Sequence, residues 1–115
     1  MPRSEKLEKE TQKEICEWLD KQKIMFWRSN NIPAFYVASG GERKFRSLPK
    51  YTPRGLPDII AVVQGKIYAI EVKRVGEKLK PHQAEFAIKL VENDGQYLTA
   101  YSLEDVKMFI PYDHE

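Results

Sequence analysis

The pattern of hydrophobic and polar positions changes several times along the chain, and each change predicts a different element. In residues 7–19, apolar side chains recur at intervals of three and four, which is typical of an amphipathic helix. Residues 34–39 (AFYVAS) are rich in strand formers and predict a strand. Residues 40–57 then combine glycines, prolines and charges, which predicts a long mobile loop of the kind that often has a function.

The second half of the chain predicts a hairpin followed by alternating helix and strand. Residues 58–64 (DIIAVVQ) form a continuous apolar run, which favours a strand covered on both faces, and residues 66–73 (KIYAIEVK) follow a turn at Gly65. Residues 81–94 begin with Pro81 and keep helical spacing. A strand at 96–102 and a short helix opened by Ser102 complete the chain. The order predicts a small α/β domain whose sheet has helices on both faces.

Three charges interrupt the apolar pattern of this hairpin. Because side chains alternate across a strand, Glu71 and Lys73 share one face. A two-residue turn at 64–65 sets Asp58 opposite Glu71, and a turn at 65–66 sets it opposite Lys73. Either register brings the three charges together on one face, whereas a three-residue turn would separate them.

The grouping of two carboxylates and a lysine points to a specific chemistry. Adjacent carboxylates repel each other and need a cation, and their oxygens suit Mg²⁺ or Mn²⁺. Such an ion activates water and stabilises charge on a phosphoryl oxygen. The lysine would bind the attacked phosphate, position the water or transfer a proton. The pattern therefore favours metal-dependent phosphodiester hydrolysis; the alternative is a salt-bridge cluster of Asp58, Glu71 and Lys73 at a sheet edge.

Composition and charge distribution narrow the class of protein. The 115 residues fit one domain, residues 1–115, with 42% hydrophobic and 31% charged residues and a single cysteine, which excludes an internal disulfide. No apolar run has the length of a membrane span and no signal-peptide core is visible, so we expect a cytoplasmic protein. Residues 21–57 contain eight basic residues and one acidic residue, an excess of seven positive charges that suits an anionic partner.

Four segments, taken in order, resemble a known family. They are EKETQKEICEWL, RGLPDII, AIEVKR and KPHQAEF, and the ending KLVENDGQYLTAYSLEDVKMFI continues the likeness, which spans residues 7–110. Together they resemble the VRR-NUC (virus-type replication-repair nuclease) branch of the PD-(D/E)xK nuclease superfamily. The resemblance implies a restriction-endonuclease-like core with a mixed central sheet flanked by helices. It also implies a stand-alone nuclease domain that works as a homodimer in a bacterial or phage-infected cell.

The resemblance also implies roles for individual residues of the hairpin and the helix after it. Asp58 and Glu71 would be metal ligands, together with the backbone carbonyl of Val72. Lys73 would be the lysine typical of the superfamily. Gln83 matches the family glutamine on the following helix, near the phosphate or the attacking water.

The acidic residue of the first helix is less clearly defined by the motif. Glu8 lies four residues before Gln12, as the family pattern implies, and we expect Glu8 to belong to the site. Glu10 and Glu14 lie close enough in sequence to compete with it.

Five basic residues of the predicted loop are candidates for contacts with DNA. Basic side chains neutralise phosphates, and the neighbouring Phe45 and Tyr51 could stack on unpaired bases. The alternative is a disordered loop whose aromatic residues pack on the core. For Trp18, Phe26 and Trp27 we expect core or dimer contacts in preference to base stacking. The five basic residues are Arg43, Lys44, Arg46, Lys50 and Arg54.

These observations converge on a metal-dependent, structure-specific endodeoxyribonuclease that cuts branched DNA, with resolution of Holliday junctions (four-way DNA junctions) the favoured activity. The alternatives are a sequence-specific restriction-type endonuclease and a DNA-binding module that does not cut. The chain has no Cys/His pattern for zinc and no glycine-rich phosphate loop, so ATP hydrolysis is not expected.

Overall fold

A computed structural model of the chain describes residues 4–29, 34–37, 43–46 and 50–112, and for residues 4–6, 34–37 and 43–46 it describes the backbone. Within these ranges, no helix is long and apolar enough to cross a membrane. The described residues form three helices, α1 (Ser4–Lys21), α2 (Pro81–Glu92) and α3 (Leu103–Phe109). The strands in the same ranges are β1 (Met25–Arg28), β2 (Ala34–Val37), β3 (Arg43–Arg46), β4 (Ile59–Val63), β5 (Lys66–Val72) and β6 (Gln96–Ala100).

Four of the strands form a mixed sheet in the order β1-β4-β5-β6. Strand β4 is antiparallel to both β1 and β5, and β6 runs parallel to β5 after the crossover through α2. Strands β2 and β3 form a separate antiparallel pair. The predicted α/β class with a mixed sheet flanked by helices is therefore confirmed.

The turn between β4 and β5 fixes the register of the central hairpin. Val63 pairs with Lys66, so the turn consists of Gln64 and Gly65. Both turn residues have positive φ, 51° and 81°, as in the type I′ turns that join two-residue hairpins. A two-residue turn allows two registers, and the structure has the one that directs Asp58 toward Glu71.

The hydrophobic core lies between one face of the sheet and helices α1 and α3. Alternate residues of β4 and β5 point into it, and Ile15 and Leu19 of α1 are fully buried against them. Trp18 joins this cluster and contacts Tyr112 edge-on, with ring centroids 4.8 Å apart. Phe26 of β1 packs against the same cluster, so the expectation of core contacts is confirmed for Trp18 and Phe26.

Helix α2 lies on the opposite face, above β5 and β6. The Phe86 ring faces the Tyr97 ring of β6 at a centroid distance of 6.4 Å. No residue of α2 is fully buried, and Ile60 and Val62 of β4 are only half-buried on this side. The prediction that both faces of β4 would be covered is therefore wrong for this face.

Two strands were not predicted from the sequence. The segment β1 has only four residues, and three of them are exposed, so it lacks the alternation that marks a half-buried strand. The segment β3 lies inside the region predicted to be a long loop. Its charged sequence, RKFR, does not predict a strand, although it pairs with β2. Both strands depend on a partner strand, which the local pattern does not reveal.

Candidate active site

The candidate site lies where β4 begins and β5 ends, on the face of the sheet that carries α2. Asp58 directly precedes β4, and its Oδ2 accepts a hydrogen bond of 2.8 Å from the backbone N–H of Val72. On its other side, the Asp58 carbonyl accepts a 2.9 Å bond from the N–H of Ser29. The Ser29 hydroxyl also donates to the carbonyl of Pro57, at 2.8 Å. These bonds fix the Asp58 backbone between two neighbouring strands.

The Glu71 carboxylate is buried on an internal strand of the sheet, and only 5% of the residue is exposed. Its Oε2 accepts a 3.1 Å hydrogen bond from Gln83 Nε2 and lies 3.9 Å from Lys73 Nζ. Its Oε1 is buried and has no hydrogen-bond partner within the described part of the chain. Burial, then the nearby charge of Asp58, raises the pKa of Glu71 to about 8, against the opposing effect of Lys73.

Lys73 follows β5 and shares the face of Glu71. It is also buried, with 7% exposed, and its backbone N–H bonds to the carbonyl of Ala100 at 3.0 Å. Because β5 is an internal strand, the alternative of a salt-bridge cluster at a sheet edge does not describe this group. Removing two charges from water costs free energy that their attraction often does not repay, even when they are paired as Glu71 and Lys73 are, so the sheet keeps them at the expense of stability.

Gln83 connects the start of α2 to the carboxylate. Its Oε1 accepts a 2.8 Å bond from the backbone N–H of Lys80, which precedes the helix, while its Nε2 donates to Glu71. Pro81 occupies the first turn of the helix, as its position in the sequence predicted. The amide therefore orients the Glu71 side chain and caps the helix at the same time.

Of the three acidic residues considered on α1, Glu8 is the one that faces the site. Its Oε2 lies 3.6 Å from Nε of Arg74, one residue beyond Lys73. Partial burial and a hydrogen bond with Glu77 raise the pKa of Glu8, and the charge of Glu8 in turn helps to raise the pKa of Glu71. Glu10 and Glu14 lie on the exposed side of the helix.

Comparison with known proteins gives a match at the level of the fold. No protein-family model matches the chain, and no curated protein matches it. A solved structure named "VRR_NUC domain" is similar with a TM-score of 0.60 and 18% sequence identity, over 89% of this chain and 91% of that chain. The chain has the fold of a VRR_NUC domain. The fold implied by the motif resemblance is therefore confirmed.

The glycine of the RGLPD motif has a structural reason within this VRR_NUC fold. Gly55 has a φ of +75°, and a β-carbon at this position would overlap the backbone carbonyl of His82 in the first turn of α2. The loop before Asp58 thus passes directly against the start of the helix that carries Gln83. A residue with a side chain would push these two parts of the site apart.

The predicted DNA-contacting residues of this VRR_NUC fold are only partly described. Arg43, Lys44 and Arg46 belong to β3, and their side chains lie outside the described residues. Lys50 and Arg54 are exposed. Nη1 of Arg54 lies 3.1 Å from Nε2 of His82, which is also exposed. Lys50 lies 5.1 Å from the ring centroid of Tyr51.

Tyr97 of β6 is a residue of the site that the sequence did not reveal. It pairs with Ala69 in the parallel register, so its side chain lies on the face of Glu71. Its hydroxyl is buried and has no hydrogen-bond partner in the described ranges. Burial, and then the charges of Glu71 and Asp58, raise the pKa of this hydroxyl. No sequence motif marks it, because its position depends on the register between β5 and β6.

Proposed function

We propose that the protein is a metal-dependent endodeoxyribonuclease that hydrolyses phosphodiester bonds in branched DNA. The observation that carries this proposal is the meeting of Asp58 and buried Glu71 across the β4–β5 hairpin, with Lys73 and Gln83 both next to the Glu71 carboxylate. A fold shared with a VRR_NUC domain supports the nuclease assignment.

The donor atoms suit Mg²⁺ or Mn²⁺. Within the described ranges, no group of three or more His, Cys, Asp or Glu side chains is arranged to hold a metal. The proposed ligands are the carboxylates of Asp58 and Glu71 and the backbone carbonyl of Val72. Mg²⁺ is held by few carboxylates together with water and substrate phosphates, so this small set is sufficient. The buried Oε1 of Glu71, which has no hydrogen-bond partner in the described part, fits a ligand atom.

The side chains around the proposed metal site have different roles in the proposed reaction. A bound divalent ion lowers the pKa of water and offsets negative charge on a phosphoryl oxygen. Lys73 adds a positive charge beside Glu71, where it can bind the attacked phosphate, orient the water or transfer a proton. Gln83 holds the Glu71 carboxylate in one orientation. Glu8 places a further carboxylate next to Arg74 at the margin of the site.

Charge favours DNA as the partner. Residues 21–57 have an excess of seven positive charges and lead directly to Asp58. The contacts would come from Arg43, Lys44, Arg46, Lys50 and Arg54. Basic residues at these positions would neutralise the phosphates that flank the scissile bond, which makes binding dependent on salt concentration.

We further propose that the protein acts as a homodimer and that the preferred substrate is a four-way junction. Two identical sites related by a two-fold axis match the symmetry of a junction, and each could nick one strand.

A labelled panel of DNA structures tests the substrate. Linear duplex, single strand, flap and four-way junction are incubated at equal concentration with Mg²⁺, Mn²⁺ or EDTA. Paired, symmetric nicks in the junction support the proposal. Cleavage of linear duplex at one recognition sequence would instead identify a restriction-type enzyme, and binding without cleavage in any metal would contradict the nuclease assignment.

A further inference from the structure

Trp27 lies on the face of the sheet that carries the two carboxylates. It belongs to β1, the edge strand, and pairs with Ile60. Directly opposed residues share a face, and Ile60 lies two residues from Asp58. By the same alternation, Phe26 points to the opposite face, where it packs on the core. Of the two roles expected for Trp27, the core contact is therefore wrong, and the dimer contact stays a prediction.

The hydrogen bonds of Ser29, two residues after Trp27, anchor this strand close to the site. Ser29 is bound to the Asp58 carbonyl at 2.9 Å and to the Pro57 carbonyl at 2.8 Å. Trp27 is diagonal to Asp58 across the antiparallel pair, a relationship that puts the two positions about 7–8 Å apart. The backbone of Trp27 is thus held beside the proposed metal ligands.

Helix α2 does not cover this part of the sheet. It packs on β6, at the opposite edge from β1. Trp27 is 44% exposed, compared with 9% for Trp18 in the core, and Met25 and Ile67 are also exposed on this face. A large aromatic surface that remains accessible beside charged groups is suited to a ligand with its own flat apolar surface.

The charge around this surface indicates which ligand it takes. The strand of Trp27 lies within the basic region 21–57, and the exposed Arg54 precedes Asp58 on the same approach to the site. Unpaired DNA is an anionic chain whose bases expose aromatic faces, so it matches both the positive charge and the exposed indole. We propose that Trp27 stacks on an unpaired base adjacent to the phosphate at Asp58 and Glu71, and so selects DNA with unpaired bases. This inference rests on the proposed function.

Trp27 gives its own optical signal for the test. The chain has two tryptophans, and the other, Trp18, is buried. Fluorescence of the full chain is titrated with a single-stranded oligothymidine and with a blunt duplex in EDTA, so that no cleavage occurs. We expect the oligothymidine to quench the emission strongly and the duplex to quench it weakly. The Trp27→Phe variant should bind the oligothymidine with little loss of affinity but without this quenching.

Affinity measurements complete the test. Trp27→Ala should bind the single strand roughly 5- to 150-fold more weakly, the equivalent of about 1–3 kcal/mol for one base–aromatic stack. Met25→Ala removes another exposed apolar side chain from the same face and should change affinity less than twofold. Circular dichroism melts establish that each variant is folded.

Three outcomes would overturn the inference. The first is single-strand binding without quenching in the wild type. The second is unchanged affinity in folded Trp27→Ala. The third is a shift of Trp27→Ala from dimer to monomer in sedimentation with unchanged affinity per protomer, which would make the surface an interface between two copies. Failure of the proposed function gives a different result, because quenching does not require cleavage. If DNA quenches the wild type but the wild type never cuts, the nuclease proposal is contradicted and the stacking proposal is not.

Discussion

The amide of Gln83 joins the first turn of α2 to the buried carboxylate of Glu71, at a distance of 3.1 Å. Its oxygen is occupied by the N–H of Lys80, so the amide has one fixed orientation. This arrangement couples the position of a helix to the direction of a proposed metal ligand. Groups that orient a ligand in this way are commonly important for metal affinity.

Replacing Gln83 should therefore weaken metal binding without unfolding the protein. For Gln83→Leu we expect a 10- to 100-fold loss of Mn²⁺ affinity, the usual effect of removing a group that orients a ligand. The affinity can be obtained from the rise in melting temperature with Mn²⁺ concentration. Gln96→Leu, an exposed glutamine at the start of β6, is the control and should keep the wild-type affinity. Equal affinities in the two variants would contradict the role of Gln83.

The three acidic residues of α1 should differ in their effects on cleavage. Glu8→Gln removes the carboxylate that lies near Arg74 and whose charge acts on Glu71, and we expect cleavage to fall at least about tenfold. Glu10→Gln and Glu14→Gln change exposed side chains and should retain wild-type rates. The measurement is the initial rate of cleavage at saturating Mg²⁺. A larger loss in Glu10→Gln or Glu14→Gln would assign the first-helix acid to that residue instead.

The buried hydroxyl of Tyr97 should lower the stability of the metal-free protein. A polar group buried without a partner costs about 1–3 kcal/mol, and phenylalanine keeps the shape of the ring. In EDTA, Tyr97→Phe should therefore be as stable as the wild type or more stable in urea unfolding. Tyr101→Phe is the control, since the exposed Tyr101 hydroxyl has only a long 3.4 Å bond to the Glu77 carbonyl. A loss above about 1 kcal/mol in Tyr97→Phe would show that the hydroxyl has a partner in solution.

Gly55 and Gly76 offer a matched pair of glycine substitutions. Both have positive φ, +75° and +94°, so alanine at either position adds a backbone strain of about 1–2 kcal/mol. At Gly76 the β-carbon would meet nothing within 4 Å, whereas at Gly55 it would overlap the His82 backbone. We expect Gly55→Ala to lose at least about 1 kcal/mol more stability than Gly76→Ala, because the start of α2 must move. Equal losses of unfolding free energy in chemical denaturation would show that Gly55 and the His82 backbone are not in tight contact.

The central hairpin and its charges could be predicted from the sequence because the information is local. The turn residues Gln64 and Gly65 adopt positive φ, and this fixes a register in which Asp58 and Glu71 share a face. Lys73 follows by simple alternation along the strand. The glutamine at the start of α2 was found through the family resemblance, and the structure brings its amide to Glu71.

The parts that escaped prediction depend on partners distant in sequence. The strand β1 exists through its pairing with β4, and its exposed side chains give no period-two signal. The same pairing decides that Trp27 points away from the core. Tyr97 reaches Glu71 only because β6 returns parallel to β5 with a particular register. Such long-range pairings are fixed by packing of the whole sheet, which local patterns do not contain.

The most direct test of the central claim is cleavage of a labelled four-way junction by the wild type, Asp58→Ala and Glu71→Ala, with Mg²⁺, Mn²⁺ or EDTA, beside junction binding measured in EDTA. We predict that the wild type cuts with either metal and not in EDTA. Both variants should bind the junction normally and show no detectable cleavage, since each lacks one of the two carboxylates. Full cleavage by either variant, or wild-type cleavage in EDTA, would contradict the assignment of Asp58 and Glu71 as the metal site of a nuclease.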